Sequence, residues 1–161
     1  MKKFRSLLVL AAFLGCACVW TSAAGAPNAP DAANETGAAA AAAALPRRFE
    51  GGFKWNDRVL GSEVAVKLTS VRAVGGLIWA EGEGRHVEEY FRTNIAVELV
   101  IDPATLAVEM WEKSPRGTRD NPKFATEGSY RGEISPDWKT IRAIWTTTAT
   151  GRKGVLTIKA N

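Results

Sequence analysis

Few side chains in this sequence have the type and spacing for acid–base or ligand chemistry. His86 is the one histidine, in the stretch Gly84-Arg85-His86-Val87-Glu88-Glu89, which reads as a solvated turn. A zinc site needs three or four His, Cys or carboxylate ligands, and one imidazole beside two adjacent glutamates gives no converging set. Ser70 and Ser129 formally offer a hydroxyl to a Ser-His-Asp arrangement, but no nucleophile-elbow motif surrounds either. Gly82-x-Gly84 lacks the third glycine and the following helix of a phosphate-cradling loop. The expectation is no metal, no cofactor and no catalytic constellation.

Carboxylates and tryptophans carry more. Glu81 and Glu83 share one strand face, and Glu109 shares another with Trp111. Paired carboxylates can run glycoside hydrolysis, yet the same pattern describes an ordinary solvated face. Of the five tryptophans beyond residue 24, Trp145 keeps phase with Ile141 and Ala143 and reads as core, Trp138 falls in a turn, and Trp55 lies in the first strand. Trp79 and Trp111 keep phase with glutamates while the opposite phase supplies the aliphatics. They therefore stand outside as an aromatic platform or line a cavity that also holds carboxylates. Indoles favour sites with one apolar and one wet side, so Trp79, Trp111, Glu81 and Glu109 form the candidate ligand-binding set. In a meander the two indoles would flank Ala96 or Glu98 and suit a neutral polar or cationic ligand. The segment 113–123 carries four positive charges against one negative, the pattern of a solvated loop at a barrel mouth.

Short strands must position these residues. Ile95, Val97, Leu99 and Ile101 alternate with polar or small residues, as do Val64, Val66 and Leu68 and then Leu106, Val108 and Met110. About eight strands are predicted, over 49–56, 62–71, 76–84, 92–101, 105–112, 126–134, 139–147 and 153–159. Gly75-Gly76, Asp102-Pro103, Ser135-Pro136-Asp137 and Gly151 separate them with turn chemistry. Connections this short favour antiparallel neighbours, so the fold class is all-β: a meander closing as a small up-and-down barrel, with a β-sandwich as the alternative. Closure would pair 49–55 with 155–158.

Gly52-Phe53-Lys54-Trp55 is similar to the Gly-x-Trp of the lipocalin first strand, with one residue more. Gly128-x-Tyr130-x-Gly132-x-Ile134, followed by Asp137 and Trp145-Thr146-Thr147, resembles the closing hairpin of many small exported barrels. The domain over 47–161 thus resembles the lipocalin and avidin superfamilies, and the resemblance implies a barrel whose mouth holds a ligand.

The N-terminus reads as targeting. Met1 to Arg5 is basic, Leu7 to Trp20 apolar, and small residues follow, the three-part layout of a secretory signal over 1–24 cleaved after Ala24. Fourteen apolar residues are too few for a transmembrane helix, which takes about 20. Both cysteines, Cys16 and Cys18, lie within it. The alternative is a lipoprotein acylated at Cys16, the sole expected membrane attachment. Residues 25–46, rich in Ala and Pro, read as a disordered linker. The charge balance agrees with export. Without Lys2, Lys3 and Arg5 the chain holds 18 basic and 17 acidic residues, which argues against a nucleic-acid partner. Charged Lys67, Glu98 and Arg142 argue against a membrane-spanning barrel. The expected function is a non-catalytic binding module, periplasmic or secreted, for a small ligand. The alternative is a protein-interaction module, such as an exported inhibitor or an envelope assembly partner, which would show a filled barrel and an exposed aromatic patch.

Overall fold

The structure is a computed structural model, and it describes residues 32–57, 61–114 and 127–161. The expected export signal, Cys16 and most of the charged segment 113–123 lie outside the described residues.

Eight antiparallel strands follow one another: β1 (Arg48–Trp55), β2 (Gly61–Val74), β3 (Leu77–Val87), β4 (Arg92–Ile101), β5 (Ala107–Lys113), β6 (Gly128–Ile134), β7 (Thr140–Thr147) and β8 (Lys153–Ala160). Each pairs with the next, and β8 returns to β1 through Phe49↔Ala160, Gly51↔Ile158 and Phe53↔Leu156. That closure makes a barrel, excludes the sandwich, and leaves no unpaired edge along the wall. A closed eight-stranded meander is the architecture the lipocalin and avidin resemblance implies.

Alternation decides what fills it. Phe49, Val64, Val66, Ile95, Val97, Leu99, Ile101, Met110, Ile141, Leu156 and Ile158 are all buried in one core. Each such aliphatic contributes about 1.5–3 kcal/mol relative to an exposed position. In β2 the inward phase runs through Ser62, Val64, Val66 and Leu68, then shifts at a bulge between Leu68 and Ser70. The turns use the expected chemistry. Gly75 and Gly76 take positive φ, and Asp102 accepts from the Ala104 amide and the Thr105 hydroxyl, which hold its carboxyl below the usual carboxylate value.

Part of the expected linker is ordered. Residues 32–44 form helix α1 (Ala32–Ala44), and Ala38, Ala42 and Leu45 are buried, with α1 packed against β2 and β3. Their spacing of four and three residues makes one apolar stripe. An isolated alanine helix of this length is marginal in water, but tertiary burial of that stripe supplies what propensity alone does not. Ala42 and Leu45 join the core at the end where the chain enters β1, so α1 caps that end. Strands β1, β3, β5 and β7 finish at the other end, the mouth.

Candidate functional site

The inward phase of the strands turns polar as it reaches the mouth. His86, expected in a solvated turn, is instead the fifth inward residue of β3 after Ile78, Ala80, Gly82 and Gly84, and it is 2% exposed. The strand runs to Val87, not 84, because Val87 still pairs with Arg92 and Glu63. Glu112 follows Val108 and Met110 into the interior of β5 and is 4% exposed. Ser62 and Tyr130 enter from β2 and β6.

These four side chains form one hydrogen-bonded chain. The Ser62 hydroxyl lies 3.0 Å from His86 Nδ1. His86 Nε2 lies 2.8 Å from Glu112 Oε1, and the Tyr130 hydroxyl donates to the same Oε1 at 2.8 Å. In the neutral tautomer whose Nε2–H donates to the carboxylate, Nδ1 accepts the Ser62 proton. Burial first, then the neighbouring Glu112 charge and the hydrogen bond to it, raise the Tyr130 phenol well above its ordinary value of 10.0. Among the described residues no buried side-chain nitrogen or oxygen lacks a partner, as a polar cluster in a core requires.

Aromatic rings enclose the cluster. One register row crosses the wall as Trp55↔Gly154↔Trp145↔Tyr130. Gly154 is required there: a β-carbon on it would fall 2.1 Å from the Phe53 ring. Without that carbon the Phe53 ring occupies the space, and the Trp55 and Trp145 rings meet edge to face at 5.1 Å. Phe53 makes similar edge contacts with Trp55, Trp145, Tyr130 and His86. The Arg152 guanidinium lies 3.8 Å from the Trp55 ring centroid and bonds both oxygens of Asp57 at 2.8 and 2.7 Å. Between the rings and the polar cluster is a crevice of about 20 Å³, also lined by exposed Glu88. That volume holds about one water-sized group.

The sequence-predicted set lies elsewhere. Trp79, Glu81, Glu109 and Trp111 all point from the outer wall, so they line no interior cavity. Trp79 is 40% exposed and opposes Val100, whereas Trp111 opposes Glu98. Ala96 opposes Glu83 and Lys113, so the expected notch over Ala96 between two indoles does not form. Three of the carboxylates on this face have cationic neighbours: Glu81 with Arg72, Glu98 with Lys113, and Glu109 with Arg131. Ser70 stands opposite Glu81 and Ser129 opposite Thr146, whereas Ser62 hydrogen-bonds His86. Among the described residues three larger hollows, about 520, 400 and 310 Å³, are open furrows beside residues such as Lys54, Arg142 and Glu63, and the first of them also touches Phe53 and Ser62.

Among the described residues no three His, Cys, Asp or Glu side chains are grouped to hold a metal ion. No family model and no curated protein matches this chain.

Proposed function

We propose that the chain is a non-catalytic binding module that grips a protruding group at the barrel mouth and does not enclose a whole ligand. The observation that carries this reading is the crevice itself: a buried Ser62-His86-Glu112-Tyr130 cluster under aromatic walls, at one end of a barrel filled mainly by apolar side chains. Buried ionisable groups cost stability unless they are paired, and their concentration beside a cleft is the usual mark of a functional site. Ser62, His86 and Glu112 are connected like a hydrolase relay. Room for one water is nevertheless too little for an acyl group and for donors aimed at its oxyanion. On this reading the chain is a lipocalin- or avidin-like barrel, supported by strand number, meander order and closure. Export to the periplasm or beyond rests on the layout of the N-terminal segment, with acylation at Cys16 as its membrane-tethered form.

Tryptophan emission of Trp55→Phe and Trp79→Phe variants tests the reading while sugars, amines and short carboxylates are titrated. The expected result is a response that survives Trp79→Phe and disappears with Trp55→Phe. The reverse result moves the site to the outer wall and overturns the reading.

A second reading is an exported protein-interaction module. It is favoured by Tyr90 and Phe91, 79% and 47% exposed on the loop between β3 and β4 at the mouth. The Glu88 amide donates to the Phe91 carbonyl and the Tyr90 hydroxyl to Glu89, so this aromatic tip is held in shape before any partner arrives.

A further inference from the structure

The geometry points to a primary ammonium group, presented by a small amine, as the ligand head that enters the mouth crevice; this rests on the mouth-binding reading above. Three observations converge on it: sign, walls and size.

The sign is negative. Among the described residues, two carboxylates, Glu88 and Glu112, line the crevice, and the other titratable lining groups are His86 and Tyr130. Among the described residues, both hydrogen bonds to the Glu112 side chain converge on Oε1. That leaves Oε2 as an acceptor for a further donor, and a charged N–H donor makes the stronger bond to a carboxylate. An anion would instead face two carboxylates.

The walls are of the kind that hold cations. Trp55, Trp145, Phe53 and Tyr130 enclose the crevice, and ring faces attract a desolvated cation. The protein already uses this attraction at the rim, where Trp55 takes the Arg152 guanidinium and Asp57 balances it. Among the described residues, Arg152 is a nearby fixed cation that an incoming ammonium would meet.

The size chooses among cations. About 20 Å³ admits a water-sized head, which an –NH3+ group matches and a trimethylammonium or a second guanidinium exceeds. Three N–H donors also suit three acceptors: Glu112 Oε2, a Glu88 oxygen and the Ser62 hydroxyl. Only the head is enclosed, so affinity for a simple amine should be on the order of millimolar.

The test titrates the full folded chain with butylammonium, butanol, butyrate and tetramethylammonium, read by tryptophan emission and calorimetry. Butylammonium should bind, and the other three should bind at least about tenfold more weakly. Glu112→Gln, which keeps the side-chain shape, should weaken butylammonium binding roughly tenfold. Glu88→Gln, at an exposed position where folding is not at stake, should weaken it about threefold. Arg152→Ala should tighten it by removing a like charge. If butanol or butyrate perturbs the mouth tryptophans and butylammonium does not, the mouth still binds but the ammonium assignment falls. If none of the four perturbs them, the assignment falls as well. Tetramethylammonium binding as tightly as butylammonium, or Glu88→Gln and Glu112→Gln both binding unchanged, would likewise overturn it.

Discussion

His86 Nε2 and Glu112 Oε1 lie 2.8 Å apart inside the barrel, with both side chains no more than 3% exposed. The two residues come from β3 and β5, with β4 between them, so their meeting is a product of closure and twist and not of strand pairing. Removing one partner of such a pair leaves the other buried and under-satisfied, which costs about 3–5 kcal/mol. His86→Ala should therefore lower unfolding free energy by about that amount in urea titration. The double replacement His86→Leu with Glu112→Met should cost far less, because it removes both polar groups together.

Tyr130 gives the pair a pH signature. Its folded-state phenol is raised well above the ordinary 10.0, so the folded protein holds this proton more tightly than the unfolded chain. The stability it contributes is complete below pH 10.0 and falls as pH rises from there toward the folded value. Thermal melts should show Tm dropping in that alkaline window. Tyr130→Phe should reduce the drop, leaving the part due to Tyr90, whose exposed phenol is raised mainly by its hydrogen bond to Glu89. An unchanged alkaline slope in Tyr130→Phe would contradict the assignment.

Gly154 sets the aromatic walls. A β-carbon there collides with the Phe53 ring, so Gly154→Ala should displace Phe53 and open the Trp55–Trp145 contact. Overpacking of this kind costs roughly 1–3 kcal/mol. Near-ultraviolet circular dichroism should lose its aromatic bands while far-ultraviolet signal is kept.

Helix α1 is part of the folded unit. Ala38 is fully buried against the barrel, so Ala38→Glu places a longer charged side chain in a packed contact. Stability should fall by about 1–3 kcal/mol or more. Ala39→Glu, at an exposed neighbouring position, should leave Tm nearly unchanged.

The barrel was legible because alternation is strict wherever one face is dry. Ile95 to Ile101 and Val64 to Leu68 state their phase outright, and the turn residues between them mark the reversals. The mouth cluster was not legible, although its signal was there. Ile78, Ala80, Gly82 and Gly84 extend in the same phase to His86, and Val108 and Met110 extend to Glu112. Two glycines and a charged neighbour on each side made that stretch read as a turn, and polar side chains on an inward phase read as a strand end. Trp79 and Trp111 keep phase with glutamates, and the structure puts them on the outer wall, one of the two placements that phase left open. The helix was missed for another reason. Its three-residue apolar stripe is too slight to register without the surface that buries it.

The central claim is that the mouth, and not the outer wall, is where this protein binds. The most direct measurement follows the indole N–H resonances of Trp55, Trp145, Trp79 and Trp111 by NMR during titration with butylammonium, butanol, butyrate and a neutral sugar. At least one probe should shift Trp55 and Trp145 in a saturable way and leave Trp79 and Trp111 in place. Saturable shifts confined to Trp79 and Trp111 would contradict the account.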